Sequence, residues 1–419
     1  MFITVDIRLA PEFKSKKNAK TAADLIKSCV HCGFCNSTCP TFNLLGDERD
    51  SPRGRITLIK EILEGGTPTT ETKLHLDRCL QCRNCETTCP SGVKYGKLYK
   101  IGKSIVDSQV KGTIQHQIFK YFLKEFLLSK LFSIAVSFGK KLHFFIPSHL
   151  KALIPLRTSA VNDTNIVSEQ GLNINKQTVL LFQGCVQKSL IPSINEATSK
   201  ILTFCGFDVI TVKKSECCGA IRGHLSDSKG QIKNIKRNID LWWPLIEQKK
   251  LAFIVSDASA CSFEIKNFQE VLRNDHKYSK KAKALSAITK DISEILPSCV
   301  EKLKGRLVFK NGTKLAFHPP CTLQHGLKIT GVIEKNLEQL GYKVFKTKED
   351  SHICCGSAGT YSLFHHDIST SLRDKKMEQL NDLNCDTVIS SNIGCITHLQ
   401  GKSASAVKHW VEVLAEDLT

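Results

Sequence analysis

Cysteine is the residue type in this sequence whose number and spacing indicate chemistry. Two runs share the spacing Cys-x2-Cys-x2-Cys-x3-Cys-Pro, the first over 29–40 and the second over 79–90. This spacing is the bacterial ligand run for a cubane [4Fe–4S] cluster, in which one tight loop presents three thiolates to three iron corners. Zinc sites rarely use a triple CxxCxxC run with a trailing Cys-Pro. The two runs therefore predict two [4Fe–4S] clusters.

The fourth cysteine of each run is expected to cross over, because in two-cluster proteins it binds the other cluster. One cluster is then assigned Cys29, Cys32, Cys35 and Cys89, and the other Cys79, Cys82, Cys85 and Cys39. This exchange holds two clusters close within one fold, which makes an electron relay. We predict no catalytic residue, since no titratable pair beside the runs suggests chemistry beyond electron transfer.

A second pair of repeats follows, each with a lone cysteine, a Cys-Cys-Gly triplet and a later cysteine. The candidate metal ligands are Cys185, Cys217, Cys218 and Cys261 in the first copy and Cys321, Cys354, Cys355 and Cys395 in the second. Matching intervals indicate duplicated structural units. Adjacent cysteines could bind neighbouring irons of a larger cluster, or one could stay free; the alternative is that all are small buried hydrophobes. Cys205, Cys299 and Cys385 lie outside every repeat and are interpreted as structural.

Composition limits the classes of protein that this sequence could encode. The chain has 419 residues, 41% of them hydrophobic, with 19 cysteines and a net charge of +19. An odd cysteine count without a recognisable signal peptide favours thiolate ligands in a reducing compartment over disulfides. No apolar stretch of about 18 residues predicts a membrane span. The positive charge favours an acidic partner or an anionic membrane surface; nucleic acid is not expected, because no DNA- or RNA-binding signature occurs.

The elements that position the cysteines fall into four predicted segments. Residues 1–110 form a small helical domain, in which SPRGRITLIKEILEGG predicts a helix with Ser51 as N-cap and Gly65-Gly66 at its end. Residues 111–176 are a basic amphipathic linker. Residues 177–300 and 301–419 alternate strands and helices, with cysteines at strand carboxyl ends. The fold class is thus α+β multidomain, with a helical two-cluster ferredoxin-like domain followed by two α/β cysteine-rich lobes.

Two features outside the cysteine sets have open interpretations. The linker could be a helix that packs on its own domains or on another subunit, or a helix on an anionic membrane surface. Arg53 and Arg55 could contact an acidic partner or lie on a solvated helix face. The histidines beside cysteine motifs are expected to hydrogen-bond or fill space rather than bind metal; they are His31, His318, His325 and His352.

These patterns together resemble the iron–sulfur subunits of bacterial glycolate oxidase. The segments that carry the resemblance are the Cys29–Cys35 run, LLGDERDSPRGR (44–55), HLDRCLQCRNCETTCPSGV (75–93), NIDLWWP (238–244), AFHPPCTLQH (316–325) and HICCGSAGTYSL (352–363). In related proteins the repeated CCG cysteines bind noncubane [4Fe–4S] clusters or sometimes zinc. The fullest CCG pattern ends Cys-x2-Cys, whereas here Ala258 and Asn392 occupy the penultimate positions, so each lobe keeps four cysteines.

The resemblance implies an electron-transfer subunit of an oxidoreductase acting on the CH–OH group of a 2-hydroxy acid. FAD-containing flavoprotein subunits would oxidise glycolate to glyoxylate, and this chain would pass electrons towards quinone or another membrane acceptor. The chain alone is not expected to turn over substrate. Its expected location is cytoplasmic, peripherally associated with the inner face of the cell membrane. The alternatives are a subunit for lactate or anaerobic glycerol-3-phosphate oxidation, or a non-enzymatic iron–sulfur redox sensor.

Overall fold

The computed structural model describes residues 5–141, 177–248, 251–308 and 313–419. Contacts divide the chain into two units. The first consists of Met1–Tyr121 and His352–Leu372, and the second of Phe122–Ser351 and Arg373–Thr419. Residues 142–176, which the sequence assigns to the linker, lie outside the described residues.

Short helices separated by cysteine-bearing loops build the first unit. The helices up to residue 141 are α1 (Pro11–Lys14), α2 (Lys17–Lys27), α3 (Phe34–Ser37), α4 (Pro40–Leu45), α5 (Pro52–Leu63), α6 (Thr70–Asp77), α7 (Asn84–Thr88), α8 (Tyr95–Gln109), α9 (Ile114–Leu128) and α10 (Lys130–Lys141), with a 3-10 turn over Glu48–Asp50; α10 belongs to the second unit. The core lies where α2, α5 and α8 meet, and Ile26, Ile59 and Leu98 are fully buried there. The cysteine loops are thus attached to a packed three-helix frame.

The helix predicted between the two cysteine runs is confirmed. It begins at Pro52, and the Ser51 hydroxyl accepts a hydrogen bond from the Gly54 amide at 2.9 Å. Such a cap satisfies a donor that the first turn would otherwise leave unpaired. The helix ends at Leu63, and Gly65 follows in a left-handed conformation with φ +106°. This helix joins the two cysteine runs.

Two four-stranded parallel sheets form the centre of the second unit. The strands are β1 (Thr178–Phe182), β2 (Asp208–Ile210), β3 (Phe253–Ser256), β4 (Thr289–Asp291), β5 (Lys314–Phe317), β6 (Lys343–Phe345), β7 (Thr387–Ser390) and β8 (Ala406–His409). Their orders are β2-β1-β3-β4 and β6-β5-β7-β8. The registers correspond as well, since Ser256 pairs with Asp291 and Ser390 with His409. The sheets confirm the predicted pair of duplicated α/β lobes.

Helices follow the strands and pack beside them. They are α11 (Gln187–Leu190), α12 (Ser193–Phe204), α13 (Ala220–His224), α14 (Ser228–Glu247), α15 (Ser259–Lys266), α16 (Phe268–Val271), α17 (Ser279–Ile288), α18 (Ile292–Leu303), α19 (Val332–Gln339), α20 (Tyr361–Phe364), α21 (His366–Asn381), α22 (Ile393–Gln400) and α23 (Trp410–Asp417), with a π-turn over Thr322–Gly326. The lobes pack on each other through α12 against α23 and α18 against α19. Within the described part of the chain, no helix combines the length and apolarity that a membrane crossing needs.

Candidate metal centres

The two ferredoxin-type loops share an unusual backbone conformation. In the first, His31 and Gly33 have φ of 51° and 83°; in the second, Gln81 and Arg83 have φ of 54° and 63°. Three of these four residues are not glycine, and non-glycine residues rarely adopt positive φ. The same left-handed positions recur at the same spacing, so each loop curls tightly between its first and third cysteines.

The first set of four sulfurs lines one cavity in the first unit. Its cysteines are Cys29, Cys32, Cys35 and Cys89. Burial, followed by the neighbouring sulfurs of Cys29, Cys89 and Cys32, raises the pKa of Cys35 to about 12. Mutual repulsion of this kind means that several sulfurs are close enough to interact. A group of four sulfurs that resist carrying charge together fits a cationic metal cluster at their centre.

The second set lines a neighbouring cavity. Its cysteines are Cys39, Cys79, Cys82 and Cys85. Burial and the sulfurs of Cys82, Cys79 and Cys39 raise the pKa of Cys85 well above its ordinary value. The structure therefore brings together the crossed sets that the spacing predicts, with the fourth cysteine of each run beside the other run.

The two cavities have a common wall. Pro52, Cys85 and Tyr95 line both of them. Tyr95 begins α8, is buried, and donates a hydrogen bond from its hydroxyl to the Cys79 sulfur at 3.6 Å. An α5 residue and an α8 residue thus fix the separation of the two cysteine sets.

Arg55 is buried, although the sequence suggested partner contact or a solvated helix face. Its exposed fraction is 1%, and it lines the second cavity. The guanidinium donates to the His75 carbonyl at 2.7 Å, to the Thr41 hydroxyl at 3.1 and 3.2 Å, and to Asp50 at 3.4 Å. Helical periodicity alone could not reveal this, because the polar partners come from three other segments.

The first lobe brings its four candidate cysteines together at the carboxyl ends of its strands. The Cys218 and Cys261 sulfurs lie 3.6 Å apart, and a Cβ at Gly184, beside Cys185, would lie 3.7 Å from the Cys261 sulfur. Cys217 accepts a hydrogen bond from the Gly219 amide at 3.4 Å. Hydrogen bonds from Cys185 and Cys218 lower the pKa of Cys217 well below its ordinary value. These hydrogen bonds therefore favour the thiolate form of Cys217 within this group.

A buried polar network that the sequence did not suggest supports these cysteines. Gln187, two residues after Cys185, donates to Asp257 at 2.6 Å, and the Thr198 hydroxyl donates to the other carboxylate oxygen at 3.0 Å. Asp257 follows β3 and precedes α15, which carries Cys261. The network joins the loops after β1 and β3. In the sequence, the only sign of this network is the acidic residue Asp257 at the end of a strand. An acidic residue there does not by itself indicate which side chains hydrogen-bond to it.

The second lobe presents a different sulfur environment. Asn392 donates from its side-chain amide to the Cys395 sulfur at 3.7 Å, and a ring nitrogen of His318 lies within 4.8 Å of that sulfur. Burial lowers the pKa of His318 to about 3, so its ring is neutral. Cys354 and Cys355 belong to the first unit, where Cys354 accepts from the Gly356 amide at 3.4 Å. Convergence of all four cysteines of this lobe, Cys321 included, stays a prediction.

The three cysteines outside the repeats lie apart from these groups. Cys205 and Cys299 are buried, and their side chains are hydrogen-bonded to each other. Cys385 donates to the Leu383 carbonyl at 3.4 Å. Trp242 is also internal, because it packs against Phe182 and Phe268 in the core of the first lobe.

Comparison with known proteins agrees with this arrangement. A family model described as a 4Fe-4S dicluster domain matches residues 25–93, and one described as a cysteine-rich domain matches 179–266 and 315–400. The glycolate oxidase iron-sulfur subunit of Escherichia coli (strain K12) is 40% identical over 412 residues, which cover 98% of each chain. The chain belongs to the glycolate oxidase iron–sulfur subunit family.

More distant relatives include a second glycolate oxidase subunit and proteins named for lactate utilization. The probable glycolate oxidase iron-sulfur subunit of Bacillus subtilis (strain 168) is 25% identical, over 89% of this chain and 88% of its own. Lactate utilization protein A of an Exiguobacterium strain is 24% identical over 57% of this chain and 97% of its own. The dicluster match spans both ferredoxin-type runs, and each cysteine-rich match spans one CCG set.

The Asp257 network gives a testable pH dependence. Burial raises the pKa of Asp257 to about 6. A carboxyl whose folded pKa exceeds its unfolded value, about 3.9, stabilises the fold at low pH and loses that contribution as pH rises through the folded pKa. Asp257→Asn removes the charge but keeps only one accepting oxygen, so it loses the hydrogen bond from Gln187 or from Thr198, at a cost of about 1 kcal/mol. Removing the buried charge outweighs this cost, and we expect the free energy of unfolding to rise by about 1–2 kcal/mol at neutral pH and by less near pH 5.

Calorimetry of the anaerobic protein at the two pH values would measure this difference. The matched control is Asp382→Asn, at an exposed carboxylate of the same unit, which should leave the profile unchanged. A variant that is no more stable than the parent at neutral pH would show that ionised Asp257 stabilises the lobe.

Proposed function

We propose that this chain is the electron-transfer subunit of a membrane-associated complex that oxidises glycolate to glyoxylate. In this proposal FAD-containing flavoprotein subunits oxidise the substrate, and this chain passes the electrons towards a membrane acceptor such as quinone. The observation that carries the proposal is the pair of sulfur-lined cavities that share Pro52, Cys85 and Tyr95 as a wall. Two redox groups in adjacent cavities form a relay.

The cysteine sets are proposed to hold two [4Fe–4S] clusters. The ligands would be Cys29, Cys32, Cys35 and Cys89 for the first, and Cys39, Cys79, Cys82 and Cys85 for the second. A bound cluster supplies a centre that takes up and gives back one electron. The chain contributes the thiolates, the curled loops that aim them, and the apolar surroundings that keep water away from Cys79 and Cys85.

The CCG lobes are proposed to bind a further iron–sulfur cluster or zinc. In the first lobe, Cys185, Cys217, Cys218 and Cys261 form a compact group with one favoured thiolate. In the second, the proposed ligands are Cys321, Cys354, Cys355 and Cys395. Soft thiolate ligands suit both iron–sulfur clusters and zinc, so the residue types do not choose between them.

Glycolate is favoured over lactate as the substrate of the complex. The relative named for glycolate oxidase matches this chain from end to end, whereas relatives named lactate utilization protein A match little more than half of it. The whole-chain match includes the dicluster region and both lobes. Because the lactate-named relatives match less of the chain, a lactate-oxidising complex is the second candidate.

Exposed apolar residues along α9 and along α10 support peripheral attachment to the inner face of the cell membrane. Ile114, Ile118 and Phe122 recur every fourth residue on α9, each at least 61% exposed. Leu131, Ile134 and Phe138 follow on α10, at 62–65% exposure. Lysines flank these residues, and an apolar helix face bordered by lysines suits an anionic lipid surface. The chain carries a net charge of +19, which adds long-range attraction.

The first test of this function compares the chain alone with the complex. Purified alone under anaerobic conditions, the chain should show no glycolate oxidation with an artificial acceptor, since its sequence carries no flavin or substrate motif. Adding the flavoprotein subunits should restore glycolate-dependent reduction of a quinone analogue. Substantial turnover by the chain alone would contradict the proposal, and turnover of lactate in place of glycolate would select the second candidate.

The ligand assignment is tested by Cys35→Ser. This variant should lose about half of the roughly eight irons expected for two cubanes, together with one cluster signal by electron paramagnetic resonance. Flavin reduction by glycolate should continue while quinone reduction falls by at least about 100-fold, or about 2.7 kcal/mol. Cys385→Ser, at a cysteine outside the repeats, is the control and should keep its iron. Unchanged iron in Cys35→Ser would refute the assignment.

Membrane attachment is tested by replacing Ile118, Phe122, Ile134 and Phe138 with serine. Burial of one large apolar side chain contributes about 1.5–3 kcal/mol, so losing four should reduce binding to anionic vesicles by more than about 100-fold. Vesicle co-sedimentation measures this. Phe345→Ser and Val308→Ser, at exposed apolar residues elsewhere, should bind as the parent does. Retained binding of the quadruple variant would favour a helix that packs on a protein surface.

A further inference from the structure

The second sulfur-lined cavity is lined by a buried cation, Arg55, whereas the cation that lines the first cavity, Arg53, is partly exposed. Arg55 is 1% exposed and shares the cavity wall with Cys39 and Cys79. Its guanidinium makes four hydrogen bonds, to the His75 carbonyl, the Thr41 hydroxyl and Asp50. These contacts hold the guanidinium in one orientation beside the sulfurs.

The carboxylate beside Arg55 does not cancel its charge. Asp50 is also bound by Arg78, whose nitrogen lies 2.8 Å from the second carboxylate oxygen. Two guanidinium groups therefore share one carboxylate, and one positive charge remains. The His75 ring, whose Nδ1 lies 3.1 Å from Asp50, completes the set. Arg83, another cation on this wall, is paired with Glu86 at 3.5 Å.

The charges around the first cavity are arranged differently. Arg53 lines that cavity, but its side chain is 36% exposed and is paired with Glu48 at 2.7 Å. Solvent screens an exposed, paired cation far more than a buried one. Cys32, a ligand candidate of this cavity, is itself exposed.

We propose that Arg55 raises the reduction potential of the cluster held by Cys39, Cys79, Cys82 and Cys85 and leaves the other cluster nearly unaffected. The inference rests on the proposed function. Reduction adds one electron to a thiolate-ligated cluster and breaks no bond, so the cluster becomes more negative. A fixed positive charge in a low-dielectric site stabilises that form, and net charge and hydrogen bonds to sulfur are known to set such potentials.

Two observations support the same direction of effect. The Cys79 sulfur is buried, and the Arg55 guanidinium lies on the same cavity wall. The Tyr95 hydroxyl also donates to the Cys79 sulfur. Both groups stabilise negative charge at the same sulfur. They offset the burial of this set, which by itself would make reduction harder.

A potentiometric titration of the full-length, cluster-loaded chain tests the proposal, with dithionite as reductant and electron paramagnetic resonance as readout. Arg55→Gln should lower the potential of one cluster so that its reduced-to-oxidised ratio falls about ten-fold at fixed potential, which is 59 mV for one electron. Arg55→Lys retains the charge and should recover at least half of that shift. The matched control Arg53→Gln should move neither cluster by more than a third of it.

Several outcomes would overturn the inference. They are an unchanged potential in Arg55→Gln, an equal shift of both clusters, or an Arg55→Lys variant that behaves like Arg55→Gln. If Arg55→Gln fails to load iron, Arg78→Gln decides the matter, because it removes one charge from the same network at a partly exposed site. Arg78→Gln should lower the reduction potential of the same cluster, and an unchanged potential in this variant would contradict the proposal. A parent protein without clusters would instead refute the proposed function.

Discussion

Negative charge on buried sulfur is the constraint around which the first unit is built. Cys39, Cys79 and Cys85 are all less than a tenth exposed, and a thiolate in such surroundings costs several kcal/mol unless it is compensated. The compensation comes from a proposed metal, from the Tyr95 hydroxyl and from Arg55. These polar side chains lie on helices whose other faces form the core. Helices α5 and α8 therefore serve both packing and electrostatics.

The duplicated lobes have the same sheet topology but differ at the strand ends where chemistry is expected. Asn392 in the second lobe donates a hydrogen bond to the Cys395 sulfur, whereas Ala258, at the matching position of the first lobe, has no polar side chain. Asp257 anchors the first lobe through Gln187, and its counterpart Ser391 is uncharged. Duplication thus preserved the scaffold while the surroundings of the sulfurs diverged, so the two lobes need not bind the same group.

Most of the fold follows from local patterns in the sequence. The helix after Ser51 and the strands that end near cysteines were predicted, because caps and apolar runs are local signals. Strands β4 and β8 carry no such local signal. Both lie at sheet edges, and β4 consists of Thr289, Lys290 and Asp291. A short polar strand is stabilised by pairing with its neighbour in the sheet and not by its own residues.

The spacing of the cysteines by itself predicted the two ligand sets of the first unit, because three cysteines within seven residues are expected to reach a single cluster. Tertiary structure decided what surrounds them. Arg55 could have been a surface residue from its position in α5, and only the approach of Thr41, Asp50 and His75 makes it a buried cation. The sequence shows that Arg55 carries a positive charge. How strongly that charge acts on a sulfur depends on their distance and on burial, and the number of residues between them in the sequence reveals neither.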